Sequence, residues 1–221
     1  TWNMPALMFG IIKNKIGETL DYTFHEGSAN CRDLLLIGHG VTGNKDRPFV
    51  IALANAVSAS GVNVIRFSFA GNGDSAGDFR ACTISKEVED LQAVLSVVEE
   101  KNYRAIYAGH SMGGAVGVLA AAKDDRIKCL ISLAGMVSTE KVYDTECRQE
   151  TPDTGCMWEG PDCPLSSDFK NDLKDIHSTA PQAVQIRVPW LLVHGTADDV
   201  VLIDDSREAY SLASEPKKLV E

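Results

Sequence analysis

The order of its apolar runs predicts that this chain folds as an α/β protein, a three-layer α/β/α sandwich around a mostly parallel sheet of about eight strands. Three observations carry that expectation. Short apolar runs alternate with longer stretches of helical period, with no internal repeat. Some runs, such as "DLLLIGHG" (33–40), are apolar without alternation, as strands buried on both faces are. Glycines and polar residues cluster directly after the runs, where such sheets place their ligands. At 221 residues the chain is expected to form one domain, 1–221.

Taken in order, "FGIIKNK" (9–15) and "LDYTFHE" (20–26) read as antiparallel strands joined by a turn at Gly17. "DLLLIGHG" (33–40) follows, then a helix from Pro48 to about Ser58, because proline is favoured in a first turn. "VNVIRFSF" (62–69) is a strand. "ISKEVEDLQAVLSVVEE" (84–100) is an amphipathic helix, with Ser85 as its cap, a buried stripe of Val88, Leu91, Val94, Leu95 and Val98, and its acids on a solvated face. "RAIYAGH" (104–110), the small-residue helix "MGGAVGVLAAA" (112–122) and the strand "IKCLISLAG" (127–135) continue the alternation. Residues 136–187 break it with Pro152, Pro161, Pro164 and Pro181, and read as an insertion or lid. "VPWLLVHG" (188–195), a helix over 204–214 and a strand opening at "KKLVE" (217–221) resume it.

Composition excludes several classes. A net charge of −10 without a basic stripe argues against a nucleic-acid partner. No apolar run approaches the roughly 20 residues of a spanning helix. Six cysteines are too sparse for a disulfide scaffold, and no basic-then-apolar leader opens the chain, so reduced thiols and a cytoplasmic location are expected.

Three strand ends could work together. Ser111 lies in Gly109-His110-Ser111-Met112-Gly113, a G-x-S-x-G pattern between a strand and a helix. In a sharp turn of that kind the serine backbone is strained, and neighbours two residues away must lack side chains. The geometry would expose Ser111 as a nucleophile. After the strand at 33–40, the amide of Val41 could donate to an oxyanion together with that of Met112. After the strand at 188–195, Asp198 could accept a hydrogen bond from a histidine and fix its tautomer, with Asp199 a solvated neighbour or helix cap.

These segments, in this order, resemble the α/β-hydrolase superfamily, and within it the compact bacterial feruloyl and cinnamoyl esterases and monoacylglycerol lipase-like enzymes. "HGVTG" is similar to their oxyanion loop, "RFSFAGNGDSAG" (66–77) to the loop after their fourth strand, "GHSMGG" to their nucleophile turn and "VPWLLVHGTADDVV" to their acid-bearing strand. The likeness runs from about Phe9 to Glu221 and is weakest in the insertion. It implies an α/β-hydrolase fold and a serine hydrolase that cleaves carboxylic esters of small molecules through an acyl-enzyme, with a catalytic triad and no metal or organic cofactor.

One departure stands out. The family carries its base histidine after the last strand, whereas His25, His39, His110, His177 and His194 all precede Asp198. The expectation is that the given chain stops short and that the histidine lies beyond Glu221. Of the five, His110 should point away from Ser111, His39 and His194 should shape loops, and His177 is the mobile candidate. Cys147, Cys156 and Cys163 are spaced too loosely for a metal site, which leaves free thiols or one disulfide. Met157 and Trp158 either form an acyl or aromatic pocket over Ser111 or anchor the insertion. The rival readings are a thioesterase, amidase or peptidase using the same groups, or a binding protein without catalysis.

Overall fold

The computed structural model describes residues 8–221. Its main sheet has seven strands in the order β3-β5-β4-β6-β7-β8-β9. In chain order these are β3 (Tyr22–His25), β4 (Asp33–Gly38), β5 (Asn63–Phe67), β6 (Arg104–His110), β7 (Ile127–Leu133), β8 (Trp190–Val193) and β9 (Lys217–Val220). Only β3 runs antiparallel to its neighbour; every other pair is parallel. The first two sequence runs divide differently from expectation. β1 (Ile12–Lys13) and β2 (Thr19–Leu20) form a separate two-stranded hairpin, and the chain breaks at Asp21 before β3 joins the main sheet. At that break the Asp21 amide donates to the Ser75 hydroxyl and its carbonyl accepts from the Ser68 amide, so its backbone groups are satisfied outside either sheet.

Helices cover both faces. On one, α1 (Pro48–Ala59) packs Val50 and Ala54 against Leu35, Ile37, Val64 and Ala108. On the other, α2 (Ile84–Glu100) and α3 (Met112–Ala121) bury Leu91, Val94, Leu95, Ala115 and Val116 over Leu34, Leu36, Ile65 and Phe67. Adjacent strand residues therefore serve different layers, as the two-residue period requires. The remaining helices are α4 (Thr139–Val142), α5 (Ser167–Ile176), α6 (Ala180–Ala183) and α7 (Ile203–Leu212).

Two expectations are corrected. Thr83, not Ser85, caps α2: its backbone is extended and its side chain accepts from the Lys86 amide, while Ser85 donates to Asp172. Two acids of α2 are not solvated. Glu87 and Asp90 lie on the buried face with Ile84, Leu91 and Val94, and Val88 is only half-buried. The insertion of residues 136–187 is rooted in the main core. Met136, Tyr143, Cys147, Leu165, Phe169 and Leu173 all join the cluster beneath α2 and α3. Among the described residues no helix is long and apolar enough to cross a membrane.

Candidate active site

Ser111 joins β6 to α3 with φ 52° and ψ −116°, a left-handed backbone that non-glycine residues rarely adopt. Backbone hydrogen bonds impose it. The Ser111 amide donates to the Leu133 carbonyl, and its own carbonyl accepts from the amides of Gly114 and Met136. Close packing leaves no room for side chains on either flank. A β-carbon on Gly109 would lie 2.0 Å from the Gly113 carbonyl oxygen, and one on Gly113 would lie 2.5 Å from that of His39. Strain held by its surroundings in this way clusters at functional sites.

The loop after β4 passes against the serine, since a β-carbon on Gly40 would lie 3.0 Å from that of Ser111. Its shape is set by His39, which is 1% exposed. His39 Nδ1 donates to the Gly40 carbonyl and Nε2 accepts from the Phe69 amide, so the ring is neutral, and burial lowers its pKa to about 4. The Val41 amide, in this loop, and the Met112 amide, the first of α3, donate to no protein acceptor among the described residues. Two free amides beside a serine can hold negative charge on an oxygen, and the α3 N-terminus adds its positive dipole end.

Ser111 opens onto a cleft of about 570 Å³, lined by the 39–43 loop, Arg47, Phe49, His110 and Trp158. Trp158 is 46% exposed, whereas neighbouring Met157 is buried in the core and faces a second, smaller cavity. Left-handed backbone at Trp158 (φ 47°) turns the two apart. They therefore do not form one pocket. Sequence reasoning missed Arg47 and Phe49, whose placement at the N-cap and in the first turn of α1, shortly after the 39–43 loop, was the available signal.

Asp198 follows β8, two strands along the sheet. Its carboxylate accepts from the Val200 and Val201 amides and lies 3.7 Å from His194 Nε2. It is near enough to His110 to favour protonation there, although burial dominates and lowers the pKa of His110. Asp199 is exposed, and no side chain caps α7.

The five histidines have other partners. His194 bonds Ser206 and the Val201 carbonyl, His25 accepts from Arg66, and exposed His177 pairs with Glu140. His110 borders the same cleft as Ser111 instead of pointing away, with its ring packed on Phe49 at 4.7 Å, but no hydrogen bond joins it to the serine among the described residues. All six cysteines are free thiols, and among the described residues no group of three or more His, Cys, Asp or Glu side chains could hold a metal.

A parallel sheet of this order, with a strained serine between strand and helix, defines an α/β hydrolase. Within that superfamily the chain belongs to the family described as serine aminopeptidase, S33, which matches residues 29–151, more than half its length. Among curated proteins it is 28% identical over 192 residues to YfhR of Escherichia coli O157:H7, covering 84% of this chain. It spans only 60% of the length of that relative. A bovine mitochondrial palmitoyl-protein thioesterase, ABHD10, is 24% identical over 178 residues, which cover 73% of this chain and 56% of that protein. Among solved structures, Est1E from Butyrivibrio proteoclasticus with ferulic acid bound matches with a TM-score of 0.83 at 26% identity. That match covers 95% of this chain and 87% of Est1E.

Proposed function

We propose that this chain carries the reaction centre of a serine hydrolase acting on carboxylic esters of small molecules. The observation that carries the reading is Ser111, held at φ 52° between β6 and α3 and opening onto the cleft beside two amides without acceptors. In this reading the Ser111 hydroxyl attacks the ester carbonyl. The Val41 and Met112 amides take up the charge that develops on its oxygen, and losing one such donor typically costs about 10²–10³ in rate. A histidine removes the serine proton and returns it to the leaving alcohol, and Asp198 accepts from that histidine's second nitrogen. Water then attacks the acyl-enzyme by the reverse path. None of these steps calls for a metal or organic cofactor.

The histidine is assigned to the segment that follows β9. Support comes from the register, in which Val220 pairs with Val193 in parallel. Both strands therefore end at the same edge of the sheet, and chain leaving β9 emerges beside the Asp198 loop. The similarity to Est1E, a protein determined with ferulic acid bound, supports a small-molecule ester as substrate.

The test is the intact mass of the full-length protein before and after a fluorophosphonate probe. One covalent addition, lost in Ser111→Ala, is the expected result. An unlabelled protein that still binds small esters would replace this reading with that of a binding protein.

A further inference from the structure

The charge around the Ser111 cleft is one-sided. Among the described residues its lining holds Arg47 and no aspartate or glutamate, in a chain of 31 acidic and 21 basic residues. The two histidines of the lining, His39 and His110, are both held toward the neutral form by burial. Around the cation the wall is largely apolar, with Val41, Pro48 and the exposed rings of Phe49 and Trp158. Arg47 Nη2 donates to the Thr42 carbonyl at 2.8 Å, the one hydrogen bond of its side chain among the described residues. The acid next to it in sequence is committed elsewhere, because Asp46 pairs with Lys45 and Arg66. A guanidinium has five N–H donors, so most of them remain for a ligand.

The helix that Arg47 opens gains nothing from it. Arg47 is the N-cap of α1 and its side chain caps no amide, where serine, threonine, aspartate or asparagine would. A cation at a helix N-terminus also opposes the helix dipole. Its charge acts instead toward the serine. After burial, it is among the causes that lower the pKa of His39, and Gly40 beside that ring packs against Ser111. The molecule as a whole works against anions: at a net charge of −10 its long-range field repels a negative substrate. A preference for one therefore has to be made locally.

We propose that Arg47 selects esters that carry a second, ionised carboxylate, binding that group while the apolar wall takes the carbon chain between it and the reacting ester. The inference rests on Ser111 being the acylated nucleophile. A planar guanidinium suits a carboxylate, which accepts from its N–H groups and is left unchanged by the reaction. The cleft, at about 570 Å³, is of the usual size for a small-molecule site. The carboxylate belongs either to the acid, as in a half-ester of a dicarboxylic acid, or to the alcohol, as in an ester of a hydroxy acid.

The experiment measures kcat/KM of the full-length protein on two matched pairs of esters, each corrected for its reactivity with hydroxide. One pair is the ethyl half-ester of hexanedioic acid and its primary amide, which differ in charge on the acyl side. The other is para-acetoxybenzoate and para-acetoxybenzamide, which differ in charge on the alcohol side. In at least one pair the carboxylate should be preferred about fivefold, the upper end for a solvent-exposed ion pair, and the pair that shows it says which side faces Arg47. The preference should shrink between about 0.02 M and about 0.5 M salt, because exposed charges are screened, and this readout needs no variant to fold. Arg47→Lys, which keeps the charge, should retain part of it, and Arg47→Gln should bring the ratio to about one or below. No preference for the carboxylate in either pair, a preference insensitive to salt, or a ratio unmoved in Arg47→Gln overturns the proposal, while Ser111 labelling leaves the esterase reading intact. No turnover together with no Ser111 labelling overturns both.

Discussion

The β6–α3 turn and the insertion of residues 136–187 border the same cleft but are held by opposite means. Ser111 is fixed by backbone: three hydrogen bonds at its amide and carbonyl, and flanking glycines packed too closely for a β-carbon. The insertion is fixed by side chains. Phe169 and Leu173 are buried in the main core, Asp172 holds Ser85 at the start of α2, and Asp205 of α7 accepts from the Val137 and Ser138 amides. A backbone-built turn should tolerate exchange of its one reactive side chain and no added bulk at its flanks. A side-chain-built insertion should tolerate change at its rim and fail at its roots.

The largest effect should come from Ser111→Ala. Ester turnover should fall by about 10⁴-fold or more, with stability changed by less than about 1 kcal/mol, as kinetics and urea titration would show. A large loss of stability would mean that the side chain, and not the backbone, holds the turn. Next is Gly109→Ala, whose new β-carbon would meet the Gly113 carbonyl at 2.0 Å. Main chain has to move, and a loss above about 4 kcal/mol is expected; a near-neutral result would break the contrast from the other side.

In the insertion, Phe169→Ala should cost about 3–5 kcal/mol, the usual range for a buried phenylalanine. The pH dependence of stability then tests the loop that faces the turn. An unfolded histidine takes up a proton near pH 6.5, and His39 in the folded state near pH 4. Between those values the unfolded chain binds more protons, so the contribution of His39 is complete above pH 6.5 and falls as pH drops toward 4. By pH 5 the loss is about 2 kcal/mol, and it should be absent from His39→Gln when urea midpoints at pH 7 and pH 5 are compared. The smallest effect belongs to Trp158→Ala at the rim: about 0.5 kcal/mol or less in stability, but a raised KM for esters with bulky alcohols. Unchanged KM across such esters would remove Trp158 from substrate contact.

How far the sequence reached depended on the range of the forces involved. The sheet was legible because runs such as "DLLLIGHG" record burial on both faces, and helical period marks the layers between them. The environment of Ser111 was legible because the demand of a left-handed turn for small flanks acts within two residues. The caps and acids of α2 were misread. Ile84, Glu87 and Leu91 share one face by spacing alone, yet a carboxylate is ordinarily assigned to water, and only the packed wall of the cavity shows Glu87 inside. Met157 and Trp158, adjacent in sequence, face different cavities because a left-handed residue turns the chain between them.

By itself, then, the sequence determined the order of strands and helices from β4 onward outside the insertion, the turn at Ser111 and the positions of Val41, Met112 and Asp198 at strand ends, because period and turn sterics are set by residues a few places apart. Tertiary structure alone decided which acids of α2 are buried, where the insertion is anchored and how the two sides of the Val41 loop divide into the cleft at Ser111 and a second, smaller cavity. Those outcomes depend on side chains far apart in sequence, such as Glu87 and Phe169 or Val41 and Met157, meeting across a packed core, and no local pattern records that meeting.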